Sequence, residues 1–238
     1  MFLPLRDNNP LQIISFQWVT VTLIAVNVAI FLFYQFGAPT QAEHNAMFGY
    51  GVIPAVLFDH RELTPDLVRL PEELTLISYQ FFHGGWMHLI SNMAFLWVFG
   101  DNVEDSMGHI RFGIFYIACG IFAGLAHALS GPQSESPLIG ASGAVSGVLA
   151  AYMILHPRRQ VWVLIFMRIP VPLPAVWAIG AWIVFQFFSL AMDEQNAKES
   201  VAWWAHIGGF AVGIPLLFLL APGSLRRTRE LRELEEQS

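Results

Sequence analysis

A chain of 238 residues that is 55% hydrophobic and 13% charged, with a mean hydropathy of +0.52, carries about half the charged fraction of a soluble domain. This excludes an ordinary two-domain soluble enzyme and marks a membrane chain, while the lone Cys119 permits no intrachain disulfide. The formal net charge of −6 argues neither against a bilayer nor for acidic partners, because orientation follows where Lys and Arg stand.

Residues 1–13 form a short polar lead with Arg6. The apolar stretch Ile14 to Phe36 is long enough to cross a hydrocarbon core of about 30 Å. A cleaved signal peptide would show a shorter apolar region and a small-residue cleavage site, which is not evident. Residues 37–80 make a long first loop containing Pro39, Pro54, Pro65 and Pro71. Its moderately apolar piece Phe48 to Phe58 is too short to span, so it is expected in the membrane interface or packed on the helices. The second span, Gly84 to Gly100, carries His83, His88 and Asn92 near its beginning, polar groups that a bilayer penalises unless they face a cavity or a partner. A third span covers Phe112 to Ser130 and a fourth Ile139 to His156. Val161 to Met167 is apolar but far too short to cross, and reads as an interfacial loop between Arg159 and Arg168. Pro170, Pro172 and Pro174 lead into a fifth span, Ala175 to Met192, crowded with Trp and Phe. The sixth follows the polar loop Asp193 to Ser200 and ends near Ala221, and residues 222–238 are a charged tail. The fold class expected is an all-α polytopic membrane protein, a six-helix bundle over 14–221.

Six spans put Arg6, Arg111, Arg158, Arg159, Arg168, Arg226, Arg227, Arg229 and Arg232 on one side and Arg61, Arg69 and Lys198 on the other. That bias predicts cytoplasmic termini. Spans two, four and six then all begin on the non-cytoplasmic side. Ser142, His88 and His206 stand only a few residues into those spans. At about 1.5 Å per residue they share one layer roughly 5 to 8 Å deep, so they can meet.

Ser142 and Ser146 lie one turn apart in Gly140-Ala141-Ser142-Gly143-Ala144-Val145-Ser146-Gly147, where a polar segment gives way to an apolar run. A helix start leaves backbone N–H groups unpaired and carries partial positive charge, which suits a developing oxyanion beside a hydroxyl nucleophile. Small-residue helix packing is the bland alternative for the same spacing. His206, Gly209 and Gly213 share one helix face, and Gly143 with Gly147 make a second small face, so two backbones can approach and bring the imidazole to the serine. His88 and Asn92, spaced i, i+4, can both donate to a carbonyl oxygen. Taken singly, each polar residue reads as a satisfied packing feature; taken together at one depth they favour chemistry. No Asp or Glu lies in the outer half of a span to orient His206, so the residues predict a Ser/His dyad. Glu104 reads as structural, capping the turn Gly100 to Gly108. No metal site is expected, since His83, His88 and His206 lack a carboxylate companion and there is no His-Glu-x-x-His pair.

On these residues the sequence resembles the rhomboid family of intramembrane serine proteases across nearly all six spans. Gly140-Ala141-Ser142-Gly143 resembles its Gly-x-Ser-Gly, Ala205-His206 with Gly209 and Gly213 its histidine helix, and His88 with Asn92 its His-x-x-x-Asn. Gly100-x-x-x-Glu104-x-x-x-Gly108 looks like another family signature. The resemblance implies Ser142 as nucleophile and His206 as general base, with an oxyanion hole formed by the Ser142 backbone N–H, His88 and Asn92. It implies His83 as a supporting residue lining the cavity. It also implies single-span membrane protein substrates cleaved near the outer bilayer boundary, with no cofactor and no nucleic acid partner. By analogy the fifth span and the loop Asp193 to Ser200 are expected to move to admit substrate. The aromatic that the family often has one turn after the nucleophile is replaced by Ser146, and the Trp-Arg pair common in its first loop is absent, so the resemblance leaves open what holds the imidazole and how the first loop sits in the bilayer. A catalytically silent rhomboid-like protein that binds membrane clients is the alternative. The acid-poor N-terminus shows no transit-peptide pattern, which favours a bacterial inner membrane with the site opening to the periplasmic or extracellular side.

Overall fold

A bilayer core offers no water to backbone N–H and C=O groups, so apolar runs that enter it fold as helices. The computed structural model describes residues 2–37, 40–165, 168–193 and 203–237. In chain order the elements are β1 (Phe2–Asp7), α1 (Trp18–Tyr34), α2 (Thr40–Tyr50), α3 (Pro54–Leu57), α4 (Thr75–Ser78), α5 (Trp86–Met107), α6 (His109–Ser130), α7 (Ser142–Leu155), β2 (Gln160–Ile165), β3 (Ile169–Pro174), α8 (Ala175–Asp193), α9 (Trp203–Leu220) and α10 (Ser224–Gln237). Helices α1 and α5 to α9 occupy the stretches in which spans are expected. By length and hydropathy α6, α8 and α9 are each able to cross a membrane. Helices α1 and α7 are apolar but shorter, at 17 and 14 residues, and α5 carries Asp101, Glu104 and Asp105 in its last turns.

Helix α7 is the centre of the bundle. It is buried without a break from Gly143 to Tyr152 and is enclosed by α5, α6, α8 and α9. Its contact with α9 is backbone on backbone: a Cβ added at Gly213 would stand 2.7 Å from the Gly147 Cα, and one added at Gly209 would meet the Gly143 carbonyl. Only glycine permits that approach.

The end of the molecule that holds the chain termini departs from the sequence reading. Phe2–Asp7, within the polar lead, is a strand, and of the stretch Val161 to Met167, expected as an interfacial loop, Val161 to Ile165 belongs to a second strand while 166–167 lie outside the described residues. They form an antiparallel sheet of order β1-β2-β3. The fold is therefore the expected helical membrane bundle, with one small sheet added to it. The cause is an alternation that helix-scale reading passes over: Val161 and Val163 are buried while Trp162 is only partly so. Pro170, Pro172 and Pro174 fall on alternate positions of β3, which puts every missing N–H on its outer edge and blocks further pairing.

Glu104 also acts differently from the sequence reading. Instead of capping the turn Gly100 to Gly108, its buried carboxylate accepts the Val19 N–H at 3.0 Å, the Thr20 N–H at 2.8 Å and the Thr20 hydroxyl at 2.7 Å. It therefore caps the start of α1, from another helix. His109 Nδ1 lies 2.5 Å from Oε1, the oxygen that also takes the Val19 N–H.

The first-loop piece Phe48 to Phe58 packs inward. Val52 and Ala55 are fully buried, and the backbone of Val52 pairs with Leu138 on the chain leading into α7. The loop expected at Asp193 to Ser200 lies, beyond Asp193, outside the described residues.

Candidate active site

The start of α7 is built by the residues just before it. Gly140 adopts φ +123°, a conformation glycine alone takes without strain, and its N–H bonds to the Tyr79 carbonyl at 2.9 Å. A Cβ at Gly140 would stand 2.7 Å from His88 Nε2 and 2.7 Å from His88 Cε1. The glycine is thus needed for the turn and for seating the imidazole, beyond helix packing. Tyr79 anchors this loop by donating its hydroxyl to the Gly120 carbonyl at 2.7 Å. The chain turns helical at Ser142, and no side-chain hydrogen bond caps that start. Its first N–H groups therefore remain directed at the space beside the Ser142 hydroxyl.

Ser142 is the first residue of α7, His88 the third of α5 and His206 the fourth of α9, so the three side chains stand at the same end of the bundle. Ser142 Oγ and His206 Nε2 are hydrogen-bonded at 2.8 Å. His88 Nδ1 accepts the Gly84 N–H at 3.3 Å, which leaves Nε2 as the protonated nitrogen, turned toward Gly140 and the cavity. Asn92 is 6% exposed, and its Nδ2 is a buried donor with no hydrogen-bond partner. An unpaired buried donor is costly, and its position in the cavity wall suits an oxygen that arrives with a ligand.

These groups line a cavity of about 420 Å³ together with Phe95, His127, Val145 and Trp182. The volume is that of a small-molecule or short-peptide site. His83, which the resemblance places on the cavity lining, lies behind it: it is fully buried, and its ring centroid is 5.0 Å from that of His88. Its backbone is gripped by Gln35 at the end of α1, which accepts the His83 N–H at 2.9 Å and donates to the His83 carbonyl. His83 therefore stands behind the loop that delivers His88. Ser146 donates to the Ser142 carbonyl at 2.6 Å and points away from the site. Among the described residues no group of three or more His, Cys, Asp or Glu side chains is placed to hold a metal.

Sequence reasoning passes over two groups. His127, near the end of α6, faces the same cavity. Gln186 on α8 is 3% exposed, and its Oε1 lies 2.8 Å from His206 Nδ1. The ring is also flanked by Trp182 and Trp203, at centroid distances of 5.8 and 6.1 Å. These side chains surround the imidazole ring. The available signal was an amide inside an aromatic span, which a bilayer penalises unless it has a partner.

A hydroxyl bonded to an imidazole beside spare donors is an arrangement able to support acyl transfer. The family model described as the Rhomboid domain matches residues 71–223. The chain belongs to the rhomboid family. It is a helical integral membrane protein. It is 38% identical over 154 residues to RHOMBOID-like protein 5 of Arabidopsis thaliana, covering 65% of this chain and 46% of that protein. It is 31% identical to Rhomboid protein 1, mitochondrial, of Saccharomyces cerevisiae, covering 60% of this chain and 40% of that one. Rhomboid protease AarA of Providencia stuartii is 28% identical over 227 residues, covering 87% of this chain and 75% of that protein. The chain spans about half the length of the first two relatives.

Proposed function

We propose that this rhomboid is an intramembrane serine endopeptidase that hydrolyses single-span membrane proteins near one boundary of the bilayer. The observation that carries the reading is the 2.8 Å bond from the Ser142 hydroxyl to His206 Nε2 in the cavity wall. Ser142 Oγ attacks the scissile carbonyl carbon as its proton passes to His206 Nε2. The carbonyl oxygen becomes an oxyanion, stabilised by the Ser142 backbone N–H, His88 Nε2–H and Asn92 Nδ2–H. The imidazolium then protonates the leaving amine as the C–N bond breaks, which leaves an acyl ester on Oγ. Water gives a proton to His206 and its oxygen to the acyl carbon, and collapse returns a proton to Oγ and frees the acid. No cofactor takes part.

The reading places α1 and α5 to α9 as six crossings within residues 14–221. Residues 1–13 and 222–238 lie on the cytoplasmic side, supported by the excess of Arg at that end of the bundle. The site then opens to the opposite, periplasmic or extracellular side. The reading takes that membrane to be a bacterial inner membrane.

The test is cleavage of a single-span model substrate by purified protein in liposomes. Ser142→Ala and His206→Ala are each expected to lower turnover by more than about 10³-fold, with a fluorophosphonate attached to Ser142 in the parent. Undiminished cleavage by Ser142→Ala, or a label mapping to Ser146, defeats the mechanism.

A further inference from the structure

Helix α8 exposes most of its surface: Val184 is 65% exposed, Phe187 54% and Phe188 62%. Within that apolar helix Gln186 is 3% exposed, on the stripe that carries Ala178, Ile179 and Trp182 inward. A bilayer penalises such an amide unless its polar atoms are used, and here both ends are. Gln186 Nε2–H donates to the Trp182 carbonyl at 3.3 Å, and Oε1 faces His206 Nδ1 at 2.8 Å. The Trp182 carbonyl fixes which way the amide lies, because a rotated amide would set carbonyl against carbonyl and aim N–H at the ring. An oxygen against Nδ1 requires that nitrogen to carry the proton. Nε2 is then the bare nitrogen, 2.8 Å from the Ser142 hydroxyl, which is the tautomer a general base must have.

We infer that Gln186 is the positioning residue of the site, holding the His206 ring in orientation and in its Nδ1–H tautomer. The inference rests on the Ser142/His206 reading and converts that dyad into a three-helix relay from α7 through α9 to α8. The amide carbonyl dipole also favours the imidazolium that forms as Ser142 is acylated.

The test uses the full chain in liposomes with a single-span substrate. Gln186→Leu and Gln186→Met remove the acceptor at similar length and are expected to lower kcat about 10- to 100-fold, with KM and melting midpoint held. Gln186→Glu keeps an oxygen at the same reach and is expected to restore kcat to within about fivefold of the parent. In the His206→Ala background, Gln186→Leu is expected to change nothing further, because the two residues act as a unit. If Ser142→Ala and His206→Ala are inactive while both apolar variants keep kcat within about twofold, the role of Gln186 fails and the Ser/His mechanism stands. If both apolar variants lose melting midpoint and activity together and Gln186→Glu restores neither, Gln186 is a packing residue and the inference is overturned. Retained turnover in Ser142→Ala would instead remove the mechanism on which it rests.

Discussion

Asn92 and Glu104 sit on one helix, three turns apart and both buried, yet they are treated in opposite ways. Asn92 Nδ2 has no partner, whereas the Glu104 carboxylate takes bonds from Val19, Thr20 and His109. The same contrast runs through the two ends of the bundle. Near the sheet, Asp105 accepts the N–H groups of Gln12, Ile13 and Ile14 at 3.0, 2.8 and 2.7 Å, and Asn9 bonds with Asn102. Near Ser142, donors are left facing a cavity. Polar groups that close on one another hold a fold; in the proposed function the donors left open at the cavity wait for a substrate oxygen.

Replacing Glu104 tests the closed end and should have the largest effect on stability. Glu104→Ala strands two backbone donors and one hydroxyl at the start of α1 and leaves His109 without its acceptor. A loss of about 3–5 kcal/mol is expected on equilibrium unfolding in mixed detergent. Fluorophosphonate labelling per folded molecule should stay at the parent rate. Labelling that collapses while stability holds would erase the division between the two ends.

Asn92→Ala tests the open end and should behave inversely. No partner of Nδ2 is lost in the ligand-free protein, so stability should fall by less than about 1 kcal/mol. Turnover should fall about 10²- to 10³-fold, the usual cost of one oxyanion donor, with KM little changed. A stability loss matching that of Glu104→Ala would show Asn92 to be structural.

The open end was the more legible of the two from sequence. Its residues announce themselves as polar exceptions in apolar spans, and counting residues from a span boundary sets their depth, which suffices to bring Ser142, His88 and His206 to one layer. Gln186 escaped because a single amide among aromatics has no periodic partner on its own helix; its partner arrives from α9. The closed end was poorly legible because its contacts are long-range and small. Strand β1 pairs with β2 across more than 150 residues of chain, Phe2 opposite Ile165, and no local pattern reports such a pairing. Glu104 stood out as a buried acid, but the donors it caps lie 84 and 85 positions earlier.

Asp7 is the weak point of the closed end and gives the smallest expected effect. It accepts the Tyr152 hydroxyl at 2.5 Å, but burial pushes its carboxyl up to about 6 from the ordinary 3.8, against the pull of that bond and of Arg159. Between those two values the folded state binds a proton that the unfolded chain has lost. The contribution of Asp7 to stability is therefore greatest below about pH 4 and is lost as the pH rises through about 6. Asp7→Asn keeps an oxygen for Tyr152 without the charge, so it should flatten that decline and raise stability at pH 7.5 by about 1–2 kcal/mol. Unfolding followed from pH 4 to 8 reads both effects. If the variant is instead weaker at pH 7.5, the attraction between Asp7 and Arg159 outweighs the cost of burying the carboxylate, and the closed end is held by charge as well as by hydrogen bonds.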